Sequence, residues 1–383
     1  MPDRPASGTP LRILHAHSTF SLGGKEARAV RLMNAFGNRA THTIWSAMPD
    51  QLSARDAIAP GIQVDFPADA PSLTGKPSPA RLRRLAAYMR GFDLVLTYNW
   101  GAFDAVMARR IWGGPPLIHH EDGFNEDEAK RLKPGRNLYR RLGLPAADAL
   151  VVPSRRLERI ALTHWRQPAG RLHRIANGIP VKRFASPPSR PIRGFTRQPG
   201  EIVVGTVAGL RAVKNLPRLV RAFSTAIPAG VEVRLIIVGE GPERARIENE
   251  TFAWGVEQTT LMPGFMADPA NWIGHFDIFA LSSDSEQFPI SLVEAMAAGL
   301  PCISTDVGDV RDMVAEENCF AIGDEAVLTS ALKRFIADPD LRRSVGAANR
   351  RRAAADYDER VMISRYAALY GEAIGRPDAL EGA

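Results

Sequence analysis

Glu286 and Glu294 stand eight residues apart in the stretch Ser285-Glu-Gln-Phe-Pro-Ile-Ser-Leu-Val-Glu-Ala-Met-Ala-Ala-Gly-Leu-Pro301. Ionised carboxylates accept hydrogen bonds, so two of them can hold the hydroxyls of a polyol at separate points. What lies around them suggests an anion as well. Residues 278–281 read as a buried strand, and the small residues that follow Pro289 read as a helix stopped by Gly299-Leu300-Pro301. Pro289 suits a first helical turn, where its missing N–H has no partner to lose. Glu286 then lies in the strand-to-helix loop, and Glu294 about a turn and a half into the helix. The start of such a helix presents free N–H groups and partial positive charge, which suits a phosphate. Phosphate beside sugar hydroxyls is the chemistry of a nucleotide-diphosphate sugar. Leu292, Val293, Ala295, Met296 and Ala297 leave little polar face around Glu294, unlike an ordinary surface helix.

Other segments add to this chemistry. Gly209-Leu-Arg211-Ala-Val-Lys214 follows an apolar run, and cations there could stabilise a departing diphosphate. Paired glycines, Gly23 and Gly24, follow the first apolar run and let backbone N–H groups approach a ligand at a helix start. Lys25 is followed by Glu26 rather than Ser or Thr, so this is not a nucleotide-triphosphate loop, and no G-x-G-x-x-G pattern is present there. His119 and His120 precede Glu121 and Asp122 at a strand end; neighbours on a strand point to opposite faces, so only one of the pair can face a cleft. Without a second ligand cluster or an Asp-x-Asp pair at a strand end, no metal and no cofactor is expected. Glu240 and Phe265 stand in turns at two further strand ends. Asn177-Gly178 reads as a structural turn, and Asn99-Trp100-Gly101 as a segment that lines an acceptor side.

These residues need a scaffold. Strands are expected at 11–16, 43–45, 94–97, 116–119 and 149–152, with helical segments between them, one of them at 26–36. Residues 185–200, rich in proline, arginine and glycine, read as a linker. The pattern then restarts: strands at 201–207, 233–238, 259–262, 278–281, 301–304 and 319–322, a helix at 215–225, and closing helices at 326–376. Alternation of this kind specifies α/β architecture with parallel sheets, hence two Rossmann-like doubly wound domains facing a cleft. The expected boundaries are a disordered 1–10, a first domain 11–186, a linker 187–200 and a second domain 201–362.

The block from Glu286 to Gly308 resembles the E-x7-E signature of retaining glycosyltransferases with the GT-B fold, glycosyltransferase family 4 (glycosyl transferases group 1). The resemblance extends over about 11–375, with motifs in the family's order. It implies that Glu294 holds ribose hydroxyls, that Glu286 orients the donor sugar, and that Lys214, with Arg211 and the helix start at Phe288, Pro289 and Ile290, meets the diphosphate. Gly23 and Gly24 would lie against the phosphates, the backbone near Phe265 beside the base, Glu240 on the donor side, and His119, on a His-x-Glu-x-Gly pattern, would be the histidine of the pair that reaches substrate. The last helix, about 363–378, would pack back on the first domain. One departure stands out: family members carry an arginine where this chain has Gly209, with Arg211 two residues later.

Composition bounds the rest. The chain has 383 residues, 45% hydrophobic and 24% charged, ordinary for globular domains. No apolar run reaches the roughly 18 residues of a membrane span, and the polar start has no leader-like apolar core. Cys302 and Cys319 make no disulfide framework. A cytoplasmic location is expected. The net charge is +7, and residues 76–174 hold 19 Lys and Arg against nine Asp and Glu. That basic stretch is either a solvated surface or one drawn to an anionic membrane or a lipid-phosphate acceptor. No nucleic-acid recognition motif accompanies it. The expected function is transfer of a sugar from a nucleotide-diphosphate sugar to a glycan or lipid-linked acceptor in bacterial polysaccharide or glycolipid synthesis, retaining and metal-independent. The alternatives are a nucleotide-sugar binding protein without transfer activity, or another enzyme of the same fold such as a sugar-nucleotide epimerase.

Overall fold

The computed structural model describes residues 9–124, 128 and 132–382. The expected disordered start therefore falls outside the described residues up to position 8, as do Lys130 and Arg131 of the basic stretch. The chain divides into two compact units, Met1–Asn177 with Val361–Ala383, and Gly178–Arg360.

The first unit is built on seven parallel strands: β1 (Leu11–His17), β2 (Ala40–Ser46), β3 (Val64–Asp65), β4 (Leu94–Tyr98), β5 (Leu117–His120), β6 (Ala149–Val152) and β7 (Leu172–Arg174). Their order is β3-β2-β1-β4-β5-β6-β7. The central strands carry apolar side chains on both faces, as a sheet covered on both sides favours, with buried polar groups toward their carboxyl ends. Leu14, Val95, Leu117 and Leu150 pack on one face with the helices Pro79–Met89 and Phe103–Trp112. Leu11, Ile13, Leu96 and Ile118 pack on the other with the helix Gly24–Phe36. The last helix, Glu359–Ala373, adds Met362, Ile363, Tyr366 and Tyr370 to that second face. Burial of each such side chain contributes roughly 1.5–3 kcal/mol, which holds the C-terminal segment to this unit. Strands β3 and β7 escape sequence reading because they are two and three residues long and carry no fully buried side chain.

The second unit repeats the plan with β8 (Ile202–Val207), β9 (Val233–Val238), β10 (Thr260–Gly264), β11 (Ile278–Leu281), β12 (Cys302–Thr305) and β13 (Cys319–Phe320). All pairings are parallel and the order is β10-β9-β8-β11-β12-β13. Strand order reverses at β8, which lies between β9 and β11; such a switch point opens a crevice at the carboxyl ends of the strands.

Residues 187–200 are not a connection between the units but lie inside the second. The amides of Ser189 and Arg190 donate to the Asn271 carbonyl at 2.8 and 3.0 Å, Arg197 pairs with Asp277 at 2.9 Å, and Ile192 is buried. Composition suggested a linker because prolines dominate it; the few apolar and polar anchors decide otherwise. Pro289 also moves: it is the residue ahead of the helix, which runs Ile290–Ala297. Among the described residues no helix is long and apolar enough to cross a membrane.

Candidate functional site

At the switch point of the second unit, the loops after β8 and β11 are joined by a dense set of hydrogen bonds. Asp284 N donates to Val213 O at 2.8 Å, and Ser282 Oγ donates to Lys214 O at 3.1 Å. Asn215 adopts a left-handed conformation, φ 43° and ψ 47°, and its Nδ2 donates to Asp284 at 3.1 Å. Arg218 donates to the other side of that carboxylate at 2.7 Å and to Ser282 O at 3.1 Å. The result is a fixed relation between Lys214 and Glu286, which form an ion pair across 72 positions of sequence. Ser283 Oγ donates to the same Glu286 oxygen at 2.8 Å. Both partners stay partly open to solvent, 20% and 14% exposed. Arg218 was not anticipated from the sequence. Its signal was a charged residue in the apolar first turns of the helix Leu216–Ala226, where it is buried.

Two close approaches explain the glycines here. Gly308, at φ 58°, lies so near the loop of Glu286 that a Cβ would come within 2.4 Å of Gln287 O and 2.9 Å of Glu286 O. Gly241 sits below the β8 loop, where a Cβ would meet Leu210 O at 2.4 Å; Leu210 N in turn donates to Glu240 O at 2.9 Å. Larger residues at either place would push the Lys214 and Glu286 loops out of register.

Glu294 is half-buried on the helix Ile290–Ala297. It shares a face with Ile290 and Ser291, four and three residues earlier, which are also half-buried, while Leu292, Val293 and Ala295–Ala297 are buried. The first-turn amides of Ile290 and Ser291 have no acceptor within the helix, so Glu294 stands one turn below an electropositive end. Phe288 lays its ring edge-on against Tyr357, centroids 5.6 Å apart, and anchors the loop. At the ends of β9 and β10, Glu240 pairs with Arg244 at 3.0 Å, and Phe265 is 65% exposed, the second most exposed of the large apolar side chains described. Arg211 is exposed and folds back on the residue without a side chain: a Cβ on Gly209 would lie 3.4 Å from Arg211 Nε.

In the first unit, Gly23 caps the helix Gly24–Phe36, and both glycines are exposed. Lys25 pairs with buried Glu26. The histidine pair departs from expectation: neither ring reaches solvent. His119 meets Thr97 Oγ1 at 2.8 Å and the edge of Phe103. His120 stacks on Tyr98, centroids 4.6 Å apart, and meets Tyr370 OH at 2.9 Å. They do point to opposite faces, but both faces are filled. His15, His17 and His42 join the second layer, with His15 bridging His42 at 3.0 Å and Tyr98 at 3.2 Å. Burial, aided by neighbouring positive groups, holds His15, His17 and His120 well below the ordinary histidine value, and burial alone brings His42 to about 4. Arg28 is buried against the same layer and pairs with Asp122, Nη2 to Oδ2 at 2.8 Å, and with Asn177 at 3.0 Å. Burial pulls that guanidinium down, but Asp122 overrides it and keeps the charge. No group of three or more His, Cys, Asp or Glu side chains that could hold a metal ion occurs among the described residues.

The chain is similar to known proteins. A family model described as Glycosyltransferase Family 4 matches residues 12–183, and one described as Glycosyl transferases group 1 matches residues 191–352. N-acetyl-alpha-D-glucosaminyl L-malate synthase of Bacillus anthracis is 27% identical over 167 residues, 43% of this chain and 44% of that protein. A GDP-mannose-dependent alpha-mannosyltransferase of Mycolicibacterium smegmatis is 26% identical over 369 residues, 90% of each. The chain spans about half, or less, of the length of the first curated relatives it matches. Among solved structures, Anabaena Alr3699/HepE in complex with UDP superposes with a TM-score of 0.73 at 19% identity, covering 94% of this chain and all of that one. Two parallel sheets of Rossmann-like order, each matched by its own family model, place this chain in the glycosyl transferases group 1 of glycosyltransferase family 4, on the GT-B fold.

Proposed function

We propose that this chain is a retaining glycosyltransferase that moves a sugar from a nucleotide-diphosphate sugar to a glycan or lipid-linked acceptor in bacterial polysaccharide or glycolipid synthesis. The observation that carries this reading is the convergence of Lys214 and Glu286 at the switch point of the second sheet, beside the helix start that bears Glu294. In it, the diphosphate takes the place of Glu286 as the partner of Lys214, and the first-turn amides and Arg211 share its charge. Glu286, released, accepts from a hydroxyl of the donor sugar, and Glu294 accepts from the ribose. Phe265 offers its open ring to the base, with Glu240 at the rim. Gly23 and Gly24 hold an anionic group of the substrate through backbone N–H. The buried His119 and His120 keep a supporting role in the first sheet. Catalysis then rests on positioning and on charge stabilisation at the leaving diphosphate, without a metal.

The test is calorimetry with UDP-, GDP- and ADP-sugars, followed by acceptor-dependent nucleotide release in the presence of EDTA. One nucleotide sugar should bind, Glu294→Ala should weaken it, and the product should keep the donor's anomeric configuration by NMR. Absence of nucleotide-sugar binding, or inversion at the anomeric carbon, would remove the reading.

Gly209 favours a second reading, a binding protein without transfer, since resembling proteins carry an arginine there. Arg211 lies over the vacant place, so Arg211→Ala should lower turnover; nucleotide binding with no turnover in the unaltered chain would establish the second reading instead. For the acceptor side, Leu138 and Leu142 are 56% and 55% exposed one turn apart on the helix Pro134–Gly143, which also carries the exposed Arg141. This pattern favours contact with an anionic membrane surface.

A further inference from the structure

We infer that the first unit holds a saccharide subsite at the carboxyl end of β4, shaped for an uncharged pyranose and serving as the acceptor site of the reaction proposed above, on which this assignment of role rests. The site is a pocket of about 490 Å³ walled by Trp100, Gly101, Asp104, Gly135, Arg136 and Tyr139, within the usual range for small-molecule sites of roughly 300–1,000 Å³.

Its polar groups suit a ring of hydroxyls. The indole N–H of Trp100 has no acceptor among the described residues, although Trp100 is only half-buried, and offers a free donor. Asp104 accepts from Arg81 at 2.5 Å and from Tyr139 OH at 2.9 Å. Each carboxylate oxygen can accept again, and the Tyr139 oxygen, having given its proton, is an acceptor too. One donor and three accepting oxygens around an aromatic wall match adjacent sugar hydroxyls. The cation of the wall, Arg136, is already met by Glu128 at 2.9 Å, and the neighbouring Arg81 and Arg140 by Asp104 and Glu128. That balance disfavours a phosphate or carboxylate ligand.

Placement agrees. Gly101 is pressed on Ser18, where a Cβ would lie 2.3 Å from Ser18 Cβ, so the pocket adjoins the loop from β1 to Gly23 and Gly24. The loop that opens it begins at Asn99, φ 55° and ψ −174°, a conformation that residues other than glycine rarely adopt. It is held there by Asp122 N to Asn99 Oδ1 at 2.7 Å and Asn99 N to His120 O at 2.8 Å. A Cβ at Gly135 would meet nothing within 4 Å; that position faces open space.

Gly135 lines the pocket, so Gly135→Leu adds bulk at its wall, with a Cβ that meets nothing, in a helix that tolerates leucine better than glycine. Saturation-transfer NMR with methyl glucoside, methyl mannoside and methyl galactoside, and with the corresponding octyl glycosides below micelle formation, reads the site directly. At least one sugar should bind the unaltered chain, at least tenfold more weakly in Gly135→Leu and severalfold more weakly in Trp100→Phe, which keeps a ring but loses the N–H. Octyl-only binding identifies a lipid-linked acceptor, and equal binding of both forms a free glycan. Sugar binding that is the same in Gly135→Leu, binding displaced by inorganic phosphate, or no binding of any probe overturns the assignment. Nucleotide-sugar titration is separate: its failure alongside Gly135-sensitive saccharide binding would sink the proposed reaction and leave the subsite standing.

Discussion

The carboxyl ends of the two sheets carry charged and polar side chains in opposite ways. In the first unit, Arg28, His15, His17, His42 and His120 are closed off beneath Tyr98, Tyr366 and Tyr370. In the second, Lys214, Glu286, Glu294 and Arg211 keep a side open, while Arg218 and the Ser282–Ser283 pair, which fix the loops of Lys214 and Glu286, are buried. The same strand order thus supports two uses of polarity. A buried ion pair holds a fold only while both partners remain, because an unmatched interior charge is costly. A half-open pair can exchange its partner for a ligand at little expense, because water shares the charge in the meantime.

The difference can be broken most severely at Arg28. Asp122→Ala leaves that guanidinium unmatched and should lower unfolding stability by about 3–5 kcal/mol, read by chemical denaturation; a loss below 1 kcal/mol would mean that the pair is not what holds the layer. Acid should act on the same layer. The folded chain holds His15, His17, His42 and His120 neutral, whereas the unfolded chain protonates them near 6.5, so the unfolded state binds more protons as pH falls. Their contribution is complete above pH 6.5 and drains away toward pH 4; for His42, lowered to about 4, it corresponds to roughly 3 kcal/mol. The melting temperature should fall through that window, and His42→Phe should flatten the fall; an unchanged pH profile in that variant would deny His42 a part in it. In the second unit the order of effects reverses. Lys214→Ala should lower turnover about 100-fold while the melting temperature barely moves; a large loss of stability with intact turnover would make the pair structural after all. Smaller still, Phe265→Ala should weaken nucleotide binding by about tenfold, the scale of one stacked base, which calorimetry resolves; equal affinity would leave the exposed ring without a role in binding the base.

Much of the architecture was readable along the chain. Apolar runs placed eleven of the thirteen strands among the described residues and both sheets' central members, because a strand covered on two faces is mostly apolar. Short edge strands such as β3 and β7 have no such pattern. Residues 187–200 misled because turn-forming composition is a local property, whereas Asn271 and Asp277, which fasten that segment, lie far along the sequence. At the candidate site, residue types and spacing singled out Glu286, Glu294 and Lys214. The exposure of His119 and His120 could not be read that way: strand alternation says that neighbours diverge, not whether a helix from the other end of the chain, with Tyr370 on it, covers one of them.

Residue type and order along the chain thus determined two parallel-sheet units, the acids and cations available for sugar and phosphate, and the family. Tertiary structure alone decided which charges meet, that Lys214 pairs with Glu286 and Arg28 with Asp122, and that the Arg28 cation is sealed, 3% exposed, while the Lys214 cation stays open at 20%. Periodicity and chemistry are local and survive in the sequence; partners and burial are set by segments many residues apart, which only packing brings together.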